Sequence, residues 1–193
     1  MLGKPRPNAD DILKAEYDYI ASTIFQANED RSRVASFYFV TVGSLVAAIL
    51  SAIFSTTDLR NVSLAFSGLF FVLTILGALT LAQLARLRAA WHESAQAMNQ
   101  IKEHYLSHNK GLESAFKWRA HTLPPTDKPF SIANLTAVEV ALLGSITSAA
   151  AIYFLFAAWG SVAWWGWALI IATLVMGYIS LWAWYKHLLV DNQ

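Results

Sequence analysis

Residues 140–185 read VALLGSITSAAAIYFLFAAWGSVAWWGWALIIATLVMGYISLWAWY and form a run of 46 uncharged positions. A helix of about 20 apolar residues crosses a hydrocarbon core of ~30 Å, so this run is too long for a single crossing. A Trp-Gly-Ser turn signal stands near its middle, at residues 159–161. The run therefore predicts two membrane-spanning helices joined by a short turn, over residues 131–159 and 161–185.

Two further uncharged stretches lie nearer the N-terminus. Residues 34–57 supply 24 uncharged positions and residues 61–85 supply 25, and each is long enough for one crossing. The composition agrees, because only 14% of the chain is charged, against about 25% in an ordinary soluble domain. The sequence predicts an all-α integral membrane protein with four transmembrane helices arranged as two hairpins.

The distribution of basic residues predicts the orientation. Five of the 14 Lys and Arg residues lie in residues 1–33, seven in residues 86–130 and one at Lys186, whereas Arg60 stands alone between the first two spans. Basic residues are retained on the cytoplasmic side, so both termini, including the tail at 186–193, are expected there. A bacterial inner membrane is the expected location.

Two cytoplasmic amphipathic helices are predicted, one before span one and one after span two. The first has an apolar stripe of Leu13, Tyr17, Ile20 and Ile24. The second has a stripe of Leu87, Trp91, Ser94, Met98, Ile101 and Tyr105. No Pro or Gly interrupts residues 78–110, so span two should continue into the second helix, and the two stripes can face each other. Residues 112–121 then predict a short basic amphipathic helix on the inner leaflet, and residues 123–130 a Pro-rich linker.

Glu139 is the single acidic residue close to a predicted span interior. Thr136 and Glu139 have the spacing of a capping box, in which both side chains bond to the start of a helix. This predicts that span three begins its helix at Thr136, and the alternative is a buried carboxylate that binds an ion or a partner. Gln83, near the inner end of span two, is interpreted as a helix contact.

His104 and His108 are four residues apart, which places both imidazoles on one helix face. The metalloprotease motif needs Glu directly after the first His, but Tyr105 stands there. A solvated polar face is favoured over a metal site. The chain also has no cysteine, which excludes thiolate metal ligands and a thiol nucleophile.

Small residues recur at helix-packing spacing in two of the spans. In span one the stripe consists of Gly43, Ala47, Ser51 and Ser55, and in span three of Ala141, Ser145 and Ala149. Small residues allow helix backbones to approach closely, and such packing holds helices together in lipid. One possibility is that both stripes pack within the chain. Four helices of this length can satisfy only part of two such stripes internally, so the other possibility is that one face meets another chain.

These patterns predict a noncatalytic membrane protein. We expect no catalytic, metal or cofactor site, and the predicted soluble segments are too short for an ordinary enzyme domain. The expected partners are the lipid bilayer and either further copies of the chain or subunits of a larger membrane complex. A net charge of +1 argues against nucleic-acid binding. The alternative is a homo-oligomeric pore or membrane-perturbing effector lined by hydroxyls. These are Ser44, Ser51, Ser55, Ser145, Thr147 and Ser148.

Overall fold

Four long helices make up most of the protein. The computed structural model describes residues 8–53, 59–108, 111, 114 and 116–190, without the side chains of residues 52 and 53. The helices are α1 (Ala9–Ile53), α2 (Leu59–His108), α3 (Ile132–Ala157) and α4 (Trp164–Val190). Each is long and apolar enough to cross a membrane, and the described residues contain no β-strand. The predicted all-α fold with four such helices is confirmed, whereas the predicted end of span one, at 54–57, lies outside the described residues.

The first two helices are much longer than a membrane crossing requires. At 1.5 Å per residue, the 45 residues of α1 and the 50 residues of α2 extend about 68 and 75 Å. Neither contains proline, and α1 contains a single glycine, Gly43, so nothing in the sequence interrupts them. The predicted continuation of the second span beyond residue 85 is confirmed by the unbroken helix.

The helices are arranged with α2 and α3 in the middle. α2 packs against α1, α3 and α4, whereas the backbone of α1 approaches α3 over a short stretch and, in its described residues, does not come close to the backbone of α4. The buried core draws on all four helices. It includes Tyr38, Val42, Phe70, Leu73, Leu81, Leu84, Ala137, Val140, Ala141, Tyr185 and Leu189. One side of α1 is consequently left without a neighbouring helix.

Successively later residues of α1 meet successively earlier residues of α2. Tyr17 lies with Ile101 and Tyr105 around one cavity, and Tyr38 packs beside Gly77 farther along. Ile20, which lies between Tyr17 and Tyr38 in the sequence, is also buried. Members of the two predicted apolar stripes therefore line shared cavities, Leu13, Tyr17 and Ile24 from α1 and Trp91, Met98, Ile101 and Tyr105 from α2.

The turn between α3 and α4 lies where the sequence predicts it. α3 ends at Ala157, and Gly160 has a φ of 132°, a conformation that residues with a Cβ rarely adopt. The ring of Trp159 lies 5.3 Å from the guanidinium of Arg60, at the start of α2. α4 begins at Trp164, so Trp164, Trp165 and Trp167 lie at the same end of the molecule as Trp159.

Candidate functional site

The small-residue stripe of α1 lies on the surface of the chain. Gly43, Ala47 and Ser51 are all exposed, and Ser51 donates its hydroxyl to the carbonyl of Ala47. A Cβ added at Gly43 would meet no atom within 4 Å. The fourth predicted member, Ser55, lies outside the described residues. This face of α1 is open to close approach by another helix.

The stripe of α3 is used inside the chain. Ala141 and Ser145 are 0% exposed and Ala149 is 5% exposed. α4 approaches this stripe at Gly177, where an added Cβ would lie 3.0 Å from Ser148 Oγ and 3.5 Å from Ser145 Cβ. The predicted packing role of these small residues is fulfilled by contacts between α3 and its neighbours in the same chain.

Tyr38 connects three helices at the centre of the bundle. Its side chain, on α1, is 1% exposed. A Cβ added at Gly77 of α2 would lie 2.6 Å from the Tyr38 hydroxyl, and one added at Gly144 of α3 would lie 3.7 Å from it. Close packing against Tyr38 therefore requires Gly77, a contact that the sequence analysis missed, whereas the tight neighbour of Gly144 is Leu181 Cδ1 of α4, 3.0 Å from an added Cβ.

The hydroxyls proposed as a pore lining do not share one surface. Ser44 and Ser51 of α1 are exposed, whereas Ser145 and Thr147 of α3 are buried inside the chain. Thr147 Oγ1 lies 3.1 Å from the hydroxyl of Thr74 on α2, and it donates to the carbonyl oxygen of Gly144. Buried hydroxyls of α3 are thus satisfied within the helix bundle.

The predicted capping box at Thr136 is wrong. α3 begins at Ile132 with Ser131 as its N-cap, and the Ser131 hydroxyl accepts the Asn134 amide N–H at 3.2 Å. Thr136 is already inside the helix, where its hydroxyl donates to the carbonyl of Ile132. Glu139 lies farther along α3 and has no capping role. Ser131 has the same capping chemistry as Thr136 and directly follows the linker, which is why the helix begins earlier.

Glu139 is exposed and lines a small polar cavity between α1 and α3. The cavity has a volume of about 190 Å³, and Arg31, Ser32 and Thr136 also line it. Glu139 is therefore not buried by the described residues of its own chain, and the alternative that it binds an ion or a partner stays a prediction. Gln83 is exposed as well, and it borders a different cavity beside Arg33. Neither side chain is part of a closed site.

The two histidines near the end of α2 lie side by side. The ring centroids of His104 and His108 are 5.0 Å apart. Nδ1 of His108 lies 3.0 Å from the carbonyl oxygen of His104 and 3.0 Å from the hydroxyl of Ser107. No group of three or more metal-ligating side chains occurs among the described residues.

Arg88 is a buried cation that sequence reasoning did not single out. Only 7% of it is exposed, and its guanidinium donates to the carbonyls of Thr126 and Pro125 and lies 4.5 Å from the ring of Trp91. Burial lowers the pKa of Arg88, and the positive charge of Arg31 acts in the same direction. Arginine stays protonated nonetheless, so this charge holds the linker against α2. No sequence signal marks it, because its acceptors lie in an irregular segment.

The segment after α2 is tied to that helix. Arg119 forms a two-point ion pair with Glu103, at 3.0 and 2.8 Å, and the hydrogen bonds hold the pKa of the Glu103 carboxyl below its usual range. The predicted amphipathic helix over 112–121 is wrong for residues 116–119, which are not helical. They are followed by one turn of 3-10 helix, Ala120–Thr122. Residues 112, 113 and 115 lie outside the described residues, and the expected contact of this segment with the inner leaflet stays a prediction.

A groove runs between the N-terminal half of α1 and the C-terminal half of α2. One cavity, of about 470 Å³, is lined mainly by apolar and aromatic side chains. Trp118, from the segment after α2, and Leu123, from the linker, are part of its wall. A second, of about 550 Å³, adjoins it toward the N-terminus of α1. Both include Tyr17 and Lys102 in their walls. Because they share these walls, the two cavities form one recess between α1 and α2.

Comparison with protein-family models, curated proteins and solved structures found no match to this chain. The functional candidates are therefore those that geometry supplies. They are the exposed face of α1 and the groove between α1 and α2.

Proposed function

We propose that this chain is a noncatalytic integral membrane protein that assembles through the exposed face of α1. The observation that carries the proposal is the exposure of Gly43, Ala47 and Ser51 on a helix with no neighbour on that side. A face of small residues allows two helix backbones to come close. The hydrophobic effect does not drive helices together in lipid, so this close van der Waals packing is what favours association. The partner is a second copy or another subunit of a membrane complex.

The topology that we propose places two helix hairpins in a bacterial inner membrane with both termini in the cytoplasm. Its support is the charge distribution, with 13 basic residues on one side and Arg60 alone on the other. The packing of Arg60 on Trp159 at one end, and of Lys186 on Trp182 at the other, fits interfacial anchoring at the two membrane surfaces. In this topology the N-terminal half of α1 and the C-terminal half of α2 form a cytoplasmic stalk.

A pore between copies has less support. Its proposed lining requires Ser145 and Thr147, which are buried within the chain. Opening such a pore would require α3 to leave its neighbours, and the serines that remain exposed all lie on α1.

The chain offers a clean crosslinking experiment because it has no cysteine. Ala47→Cys places one thiol on the exposed face of α1, and Gly68→Cys places one on the exposed surface of α2, where an added Cβ also meets open space. In native membranes treated with a mild oxidant, a disulfide-linked dimer is expected for Ala47→Cys and not for Gly68→Cys. Equal dimer yields at both positions would mean random collision in the membrane and would contradict the proposal.

A partner other than a second copy requires a different readout. A photoreactive amino acid placed at position 47 should give one adduct of fixed mass, whose second chain is identified by mass spectrometry. The same amino acid at position 68 is the control. If position 47 yields lipid adducts only, and no disulfide-linked dimer forms, the exposed face of α1 is a lipid surface and the assembly proposal fails.

A further inference from the structure

The groove between α1 and α2 contains a buried amide with an unused donor. Asn99 is 2% exposed and lines the cavity of about 470 Å³. Its Oδ1 accepts a hydrogen bond from Lys102 Nζ at 3.3 Å, whereas its Nδ2 has no partner among the described residues. The lysine fixes the orientation of the amide, because a flipped amide would set two donors against each other. A buried donor without a partner costs stability, typically about 1–3 kcal/mol.

Lys102 adds a positive charge at the same place. It is half-buried, and no carboxylate of the described residues lies within ion-pairing distance of it. Lys102 also lines the adjoining cavity of about 550 Å³, whose walls also carry the carboxylates of Asp10 and Asp11 and the ammonium of Lys14. The cation and the unpartnered amide donor therefore stand together at the junction of the two cavities, and the mainly apolar first cavity is the one that suits an anionic ligand.

The size and lining of the groove are those of a small-molecule site. Ligand pockets commonly have volumes of about 300–1,000 Å³, mostly apolar walls and a few convergent polar groups. Here the walls of the first cavity include Ile24, Trp91 and Met98, and the polar groups are an amide N–H and an ammonium. The complementary ligand carries an elongated apolar body and an anionic hydrogen-bond acceptor.

We propose that this groove binds a long-chain carboxylate of the fatty-acid class. The carboxylate is balanced by Lys102 and accepts a hydrogen bond from Asn99 Nδ2, which is covered in the ligand-free structure, so the side chains around it must move apart on binding. The chain of the ligand lies against the apolar walls. This site is independent of the assembly face, since none of its lining residues belongs to the small-residue stripe of α1.

The test uses the full chain in lipid nanodiscs and a palmitate analogue that carries a photoreactive diazirine near its methyl end. After illumination, digestion and mass spectrometry, labelled peptides should include residues from the groove walls on α1, on α2 and in the segment at 118–124. Labelling should fall when unmodified palmitate is added in excess. Labelling confined to the four apolar segments, with none in the groove, would overturn the proposal.

Matched variants separate binding from folding. Asn99→Leu should reduce groove labelling at least about tenfold, the effect of losing a hydrogen bond to a charged group. Gln100→Leu makes the same exchange of amide for leucine at the neighbouring exposed position and should leave labelling unchanged. Because Asn99→Leu also removes an unpaired donor, the ligand-free variant should melt no lower than wild type. A large loss of thermal stability with unchanged palmitate labelling would show that Asn99 is structural and would contradict the proposal.

The carboxylate requirement has its own control. The methyl ester of the same analogue keeps the chain and loses the charge, so it should label the groove several-fold more weakly than the acid in wild type. Lys102→Met should remove most of this difference. Equal labelling by acid and ester in wild type would show that the groove binds apolar chains without recognising a carboxylate, and the proposal would be wrong.

Discussion

The small-residue stripes of α1 and α3 resemble each other in sequence and differ in environment. Ala141, Ser145 and Ala149 of α3 are covered by neighbouring helices, whereas Gly43 and Ala47 of α1 are exposed. The difference follows from position, because α3 lies between α2 and α4 while α1 has a helix on one side only. The same packing motif thus stabilises the chain in one place and leaves a surface for association in the other.

The largest effect is expected from enlarging the buried stripe. Ser145→Leu introduces a bulky side chain at a fully buried position that faces Gly177 of α4. Overpacking of this kind costs about 1–3 kcal/mol, and here the neighbouring backbone leaves little room to adjust. Thermal unfolding in detergent, followed by tryptophan fluorescence, should show a clear loss of stability. An unchanged melting temperature would mean that α3 and α4 do not pack as described.

The next effect tests the contact that anchors α1 to the centre of the bundle. Gly77→Ala places a Cβ 2.6 Å from the Tyr38 hydroxyl, a distance that requires movement. We expect a loss of about 1–2 kcal/mol in the free energy of unfolding, since overpacking outweighs the gain in helix propensity. Tyr38→Phe removes the clashing oxygen and should recover part of this loss. Strictly additive effects of the two substitutions would contradict the contact.

The four spans could be predicted because charge and length constrain a membrane helix strongly. The continuous α2 was also predictable, since nothing in its sequence ends the helix before residue 109. The start of α3 was not, because Ser131 and Thr136 both have side chains suited to capping, and the choice depends on where the linker releases the chain.

Contacts between distant segments escaped the sequence analysis for a physical reason. Arg88 bonds to linker carbonyls 37 and 38 residues away, and Tyr38 meets Gly77 only because α1 and α2 pack in one particular register. The pattern within one helix gives its apolar face and not the register of its partner. Asn99 was overlooked for the same reason, since its burial depends on α1 and the linker.

The smallest effect concerns the half-buried ion pair between Arg119 and Glu103, which ties the segment after α2 to that helix. The bonds from Arg119 lower the pKa of Glu103, so its stabilising contribution is present above the ordinary glutamate pKa of about 4.3 and is lost as pH falls through the lowered value. The rate of proteolytic cleavage within residues 116–122 should therefore be constant across the neutral pH range and should increase only under acidic conditions. Glu103→Gln should remove this pH step. Equal pH dependence in both proteins would contradict the assignment.

The comparison between the two stripes is tested most directly by native mass. The protein is extracted gently from its own membrane, and its mass is measured together with the identity of co-purifying chains, for wild type, Gly43→Leu and Gly68→Leu. Both glycines are exposed, and a Cβ added at either meets no atom of the chain within 4 Å. Wild type and Gly68→Leu should retain an assembly of fixed stoichiometry, while Gly43→Leu should give the folded monomer. A monomeric wild type, or an assembly that survives Gly43→Leu intact, would contradict the proposal that α1 carries the interface.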